Sequence, residues 1–219
     1  GVYCFSSAWL WPALERLTPS ARGEIYLTDL VELASREGMG IESVDIEDTD
    51  EILGVNTRVQ LAEVEAAMRR RIRNRWMLSG VTMPDPASVY IDMDANLGPD
   101  TSVLPNTHIT GASRIGAGCE IGPNTIIDGS DVADDCRVFA SVVEGSRLED
   151  RVEVGPFSHI RPGSRLESGV RIGNFGEVKG SHLGPGTKSP HFSYIGDAEI
   201  GASVNVGAGT VTCNYDGVR

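Results

Sequence analysis

The sequence predicts a parallel β-helix of hexapeptide repeats, joined through one long helix to an α/β segment. Three observations predict it. Large aliphatic residues recur every sixth position from Leu97 onward. Apolar residues in 57–79 recur instead every three or four positions. Residues 1–52 alternate between short apolar runs and capped helical patterns.

The hexads carry the most weight. Leu97, Val103, Ile109, Ile115, Ile121 and Ile127 keep the step without a slip; after a five-residue step the pattern resumes at Val132 and Val138. It continues through Leu148, Val154, Ile160, Leu166, Ile172 and Val178, then Leu183, Ile195, Ile200 and Val206. A period of six is neither helical nor that of an alternating strand, and fits a solenoid whose flat faces each contribute one hexad. The aliphatic points inward onto its equivalent in the next coil. The small residue that often follows it, as at Gly98, Gly116 and Gly173, permits the corner. Three faces make a coil of about 18 residues, and coils stack at the strand spacing of about 4.8 Å.

In the long helix, Leu61, Val64, Met68, Ile72 and Trp76 form one apolar stripe. Gly80 ends it, and the stiff stretch 83–86 (MPDP) connects it onward. Before it, Ser7 is positioned to cap a helix through Leu17 that Pro19 ends, and Thr28 to cap a helix over 29–37 that Gly38 stops. The runs 2–5 and 41–46 read as strands.

Nineteen Lys and Arg against thirty-one Asp and Glu give a net charge of −12, which argues against nucleic acid as a partner. The basic block Arg69, Arg70, Arg71, Arg73 and Arg75 reads as a solvated or phosphate-neighbouring helix face. Cys4, Cys119, Cys136 and Cys213 show no metal or redox spacing, which fits reduced cytoplasmic thiols. No apolar run reaches membrane-spanning length, and nothing at the start reads as a signal peptide. Both ends read as cut from a longer chain.

One stretch departs from the repeat: in 188–197 (KSPHFSYIGD), Ser189 stands where an aliphatic belongs, with His191 and Tyr194 beside it. Arg161 and Lys179 are 18 residues apart and so stack one coil apart on one face, a cradle for a phosphate dianion. Either cation alone reads as solvated surface charge. His191 alone reads as structural; the nearby cations, Tyr194, Asn174, Asn205 and Asn214 favour a general base, since neutral imidazole suits proton removal near neutral pH.

The motifs RPG (161–163), GNFGEVK (173–179), HFSYIGD (191–197) and NVGAGTVTCNYDG (205–217) closely resemble those of the bifunctional bacterial N-acetylglucosamine-1-phosphate uridyltransferase/glucosamine-1-phosphate acetyltransferases. GEIYLTD (23–29) and GVNTRVQL (54–61) resemble the end of that family's uridyltransferase domain and its connecting helix. The resemblance implies a left-handed β-helix and a division into 1–56, the end of a nucleotidyltransferase domain, 57–80, a linker helix, and 81–219, an acetyltransferase domain. It implies acetyl transfer from acetyl-CoA to glucosamine 1-phosphate in a cytoplasmic homotrimer. His191 would be the base; Arg161 and Lys179 would hold the phosphate; Tyr194, Asn205 and Asn214 would orient the sugar. Ala208 would offer its amide to the thioester carbonyl, and Asn214 and Tyr215 would line the coenzyme groove. For the uridyltransferase activity, which uses UTP and Mg²⁺, only Asn56 matches a metal ligand; its Asp partner and the nucleotide loop fall outside this chain, and alone Asn56 reads as a turn residue. Gly176 stands where the family carries a larger aliphatic. Two other readings share the hexads: a hexapeptide acyltransferase with another amine acceptor, and a non-catalytic trimerising scaffold.

Overall fold

The computed structural model describes residues 2–214 and Gly217. Its contacts divide the chain into two compact units, Gly1–Val64 and Glu65–Arg219, with the boundary inside the long helix.

In the first unit, α1 (Ser7–Leu14) and α2 (Asp29–Arg36) pack together and bury Ala13, Leu30 and Ala34. Here the sequence expectations need correcting. Ser6 precedes α1 with no side-chain cap, Pro12 sits inside the helix, and it ends at Leu14, not Leu17. Past Leu14 the chain tightens into i→i+3 turns, the Arg16 and Leu17 amides donating to the Ala13 and Leu14 carbonyls at 3.1 and 3.3 Å. Thr28 adopts helical dihedrals and makes no cap bond. Gly38 does stop α2: it takes φ +69° while the Met39 amide donates to the Ala34 carbonyl. Residues 2–5 and 41–46 are not strands; both line one open apolar groove, without ladder partners among the described residues. Much of their apolar pattern stays exposed, Val2 and Val44 above all, and without paired backbone it makes no sheet.

The long helix, α3 (Arg58–Leu78), opens on a reciprocal cap: the Gln60 amide donates to Thr57 Oγ1, and the Thr57 amide to Gln60 Oε1, at 3.2 and 3.0 Å. Gly80, at φ +94°, closes it, with the Val81 amide on the Trp76 carbonyl. Of the expected stripe only Ile72 and Trp76 pack on the β-helix core, joined by Met77, while Leu61 and Met68 are exposed. The basic block tethers this end to the first coil. Arg69 lies over the Tyr90 ring at 4.1 Å, and Arg73 and Arg75 donate to the carbonyls of Val89 and Met93.

The second unit is a three-faced parallel solenoid with seven, seven and six strands. On the first face, Ile91, Ile109, Ile127, Val143, Ile160, Val178 and Ile195 stack in register. On the second, Leu97, Ile115, Val132, Leu148, Leu166, Leu183 and Ile200 do so. Val103, Ile121, Val138, Val154, Ile172 and Ser189 fill the third. Val143, absent from the sequence-derived series, sits between two five-residue steps and is fully buried.

A second set of rows holds the corners. Two positions before many inward aliphatics of the first two faces, small hydroxyl residues are buried: Ser113, Ser130, Ser146, Ser164 and Ser181 on one corner, Ser141 and Ser158 on another. Each coil's hydroxyl takes the amide of the next, as in Ser130 N to Ser113 Oγ at 3.2 Å, Ser146 N to Ser130 Oγ at 3.1 Å and Ser158 N to Ser141 Oγ at 3.1 Å. The buried corner amides are thereby satisfied without a loop. Gly176 occupies one such slot, its amide on Ser158 Oγ at 3.1 Å, and a Cβ there would lie 2.6 Å from Ile172 Cγ2. The space a larger side chain would take at Gly176 is occupied by Ile172. Gly173 is demanded more directly: a Cβ would meet the Pro190 carbonyl oxygen at 2.1 Å.

On the outer side of the second face His182 bridges two coils: Nε2 contacts Glu167 at 2.8 Å, and Nδ1 contacts Glu199 on the last strand of that face. The two carboxylates, Glu167 foremost, raise the His182 pKa. A raised folded-state pKa stabilises fully below the unfolded value, about 6.5, and the contribution is lost as pH rises through the folded value. The denaturation midpoint of the native chain should therefore fall relative to that of His182→Gln as pH rises from about 6 to about 8.5; a constant difference would contradict the bridge. In the core, Ile160→Ala should cost about 2–5 kcal/mol, measured by urea unfolding.

Candidate active site

The outward positions flanking the first face's inward row form the site. Ile160 pairs with Val178, so Arg161 and Lys179, the residues that follow them in the chain, leave on the same side one coil apart. The Arg161 amide donates to the Val178 carbonyl at 2.7 Å, continuing the ladder through this position. One coil further, Glu177 pairs with Tyr194 and Lys179 with Gly196. Gly196 has no side chain to cover Lys179, and the Tyr194 ring lies over it: a Cβ there would meet the Tyr194 hydroxyl at 2.5 Å.

Neither cation is bare. Arg161 Nη1 donates to Glu177 Oε1 at 2.8 Å, and Lys179 Nζ lies 3.4 Å from Asp197 Oδ2. Asn214 Nδ2 donates to the same Asp197 oxygen. The Asn214 amide foremost, then Lys179, hold the Asp197 carboxyl below the usual aspartate range. The four charged groups sum to zero, so the phosphate cradle expected from Arg161 and Lys179 is charge-balanced, with two carboxylates where an anion would bind. Glu177 and Asp197 are the residues the sequence reading missed. Their signal was present: Glu177 lies two positions before Lys179, on the same outward side, and Asp197 lies one coil beyond it.

His191 stands exposed in the turn between the strands Lys188–Ser189 and Ser193–Gly196, and its ring makes no hydrogen bond among the described residues. The turn itself is anchored. Ser189 enters the core in register with Ile172, and its hydroxyl meets that of Ser193 at 2.7 Å, so the two polar groups satisfy each other. The turn carrying Ala208 stacks on it: the Gly209 amide donates to the Phe192 carbonyl at 2.8 Å, and the Tyr194 amide to the Thr210 carbonyl at 2.9 Å.

Arg161, Lys179, Tyr194 and Asn214 are thus linked through shared strands and hydrogen bonds, and His191 and Ala208 occupy the adjoining turns. Asn205 is not in this constellation: it pairs with Lys188 on the third face. Tyr215 lies outside the described residues. Asn56 is remote in sequence and exposed, its amide bonded to Gln60 Oε1 at 2.8 Å. Among the described residues no group of three or more His, Cys, Asp or Glu side chains is placed to hold a metal ion.

Comparison with known proteins bears on what this surface belongs to. A family model described as bacterial transferase hexapeptide (six repeats) matches residues 94–129. The bifunctional protein GlmU of Heliobacterium modesticaldum is 48% identical over 218 residues, 99% of this chain and 48% of that protein. Over 99% of its length the chain is similar to that protein. The bifunctional protein GlmU of Pelobacter propionicus is 47% identical over 221 residues, 100% of this chain and 48% of that protein. The chain spans about half the length of the curated relatives it matches. A solved acetyltransferase domain of PglB from Neisseria gonorrhoeae, in complex with acetyl coenzyme A, is 20% identical over 80% of this chain and 84% of that one, with a TM-score of 0.30, too low to inform the site.

The charge balance makes a prediction. Glu177→Gln leaves Arg161 without its anionic partner, so inorganic phosphate should bind about two- to fivefold more tightly, an exposed pair's worth, by calorimetric titration. Unchanged or weaker binding would contradict the placement of Glu177 at the cradle.

Proposed function

We propose that this chain carries the acetyl-transfer half of a GlmU-type enzyme, converting acetyl-CoA and glucosamine 1-phosphate to N-acetylglucosamine 1-phosphate and CoA. The observation that carries the reading is the pair Arg161 and Lys179, one coil apart on one face, adjoining the exposed His191 turn. Arg161 and Lys179 take the sugar phosphate, displacing their carboxylate partners. Tyr194 and Asn214 orient the sugar, and Asn205, on the third face, has the same role by family resemblance alone. The neutral His191 imidazole accepts the proton from the substrate's 2-amino group as its lone pair attacks the thioester carbonyl. The tetrahedral oxyanion is met by the Ala208 amide. Its collapse expels the CoA thiolate, which takes up a proton. Asn214 and Tyr215 line the coenzyme groove.

The same reading divides the chain into 1–56, 57–80 and 81–219: the end of a uridyltransferase domain, a linker helix and a left-handed β-helix acetyltransferase domain. In the whole parent protein the other activity would use UTP and Mg²⁺ to make UDP-N-acetylglucosamine for cell-wall precursors. The residues present do not fit a magnesium site: among the described residues no group of three or more His, Cys, Asp or Glu side chains is placed to hold a metal ion, and the Asn56 amide is bonded to Gln60. A cytoplasmic homotrimer about the solenoid axis completes the reading. Among the described residues, no helix is long and apolar enough to cross a membrane. Mass measurement in solution at high micromolar concentration should give three chains; a monomer would count against that assembly.

His191→Ala should lower turnover by about 10²–10⁴-fold with little change in sugar-phosphate affinity. Lys179→Ala removes a charge-assisted contact worth about 1.5–3 kcal/mol and should weaken binding by about ten- to a hundredfold. Thiol release from acetyl-CoA with glucosamine 1-phosphate, in the protein extended to the full length of its relatives, measures both. Near-full turnover in His191→Ala would remove it as the base.

A further inference from the structure

Asp197 is the side chain that joins the cradle to the last described turn. One of its carboxylate oxygens contacts both Lys179 Nζ, at 3.4 Å, and Asn214 Nδ2. Its backbone is built to bring the carboxylate there. The coil from Val178 to Ile195 is seventeen residues, so Gly196, not Asp197, lies opposite Lys179. Asp197 then turns at φ +49°, its amide donating to the Lys179 carbonyl at 2.9 Å. A Cβ on Gly180 would lie 2.9 Å from Asp197 Oδ1, so that glycine leaves the space the carboxylate occupies.

We propose that Asp197 is a positioning residue: a clasp that stands in for the substrate phosphate at Lys179 while holding Asn214, and that releases both when a phosphate monoester binds. The inference rests on the phosphate-binding reading of Arg161 and Lys179 for its ligand, but the clasp itself does not. Without ligand, Asp197 neutralises Lys179 and holds the Asn214 side chain at the end of 207–214, a mostly exposed stretch that the Gly209 and Thr212 amides tether to the Phe192 and Tyr194 carbonyls. When a phosphate dianion reaches Lys179, like-charge repulsion drives the carboxylate off, and the Asn214 amide is freed beside the incoming sugar. Inorganic phosphate opens the clasp without using Asn214; glucosamine 1-phosphate opens it and does use Asn214. Both ligands meet the same cost of opening, so the clasp lowers affinity for phosphate monoesters and bare phosphate alike.

Two variants separate its parts. Asp197 has left-handed backbone dihedrals, which Asn and Gly adopt at little cost. Asp197→Asn removes the charge and keeps an acceptor; Asp197→Gly removes both. Inorganic phosphate and glucosamine 1-phosphate are titrated calorimetrically into the native chain and each variant, and amide hydrogen exchange is followed over 209–214 without ligand. Both variants should bind inorganic phosphate about two- to fivefold more tightly, since an opposing exposed charge is gone. Glucosamine 1-phosphate should gain by about the same factor in both variants, since the cost of opening is common to the two ligands. The Thr212 and Asn214 amides should exchange at least about threefold faster in Asp197→Gly than in the native chain. If the native chain binds neither ligand, the phosphate reading fails, and the exchange rates alone decide the clasp. Unchanged exchange in Asp197→Gly, or unchanged phosphate affinity in both variants where the native chain binds phosphate, overturns it.

Discussion

Everything in the second unit depends on parallel stacking in strict register: one inward side chain per face per coil, each on its equivalent one coil away. A slip of one residue on any face would turn its aliphatics to solvent and its charges inward, so the register is specified on three faces at once. The core is consequently a set of three aliphatic columns, with hydroxyl ladders at the corners taking up amides that the sharp turns leave unpaired. Stability in such a stack is roughly a sum over neighbouring coils, and α3 covers the first coil with Ile72, Trp76 and Met77.

The same register makes the site. Once the inward row is fixed, the residues on either side of it are fixed as outward rows, and a group placed at one position recurs beside its neighbour a coil later. Arg161 and Lys179 meet in this way, and so do the carboxylates that balance them. Where the pattern is broken, it is broken for the site: Ser189 replaces an aliphatic and ties off the His191 turn through Ser193, and Gly196 replaces a side chain and opens the space over which Tyr194 lies. A buried hydroxyl pair costs the third face one aliphatic contact and holds a tight turn from which the imidazole projects.

Much of this was legible in the sequence, because a six-residue period over so many repeats has few physical explanations. Val143 was missed because two five-residue corners flank it and the period slips on both sides. The hydroxyl ladders were missed because buried Ser and Thr look like loop residues until their hydrogen bonds are known. The strand expected over 41–46 failed for the opposite reason: alternation alone supplies no partner backbone. Glu177 and Asp197 were overlooked because carboxylates in an acidic chain read as solvated surface, and their pairing with Arg161 and Lys179 depends on coil lengths of 16 to 18 residues rather than a uniform 18. The 17-residue coil is what sets Asp197 one step past Lys179.

The central claim is that outward residues one coil apart on a single face act as one binding surface for a phosphorylated amino sugar. Residue-resolved NMR of the chain titrated with glucosamine 1-phosphate tests it most directly. The account predicts that shifts concentrate at Arg161, Glu177, Lys179, the 191–197 turn and Asn214, and that they saturate together with one dissociation constant. Shifts centred on the second face, around Arg165 and His182, or separate saturation of Arg161 and Lys179, would contradict it.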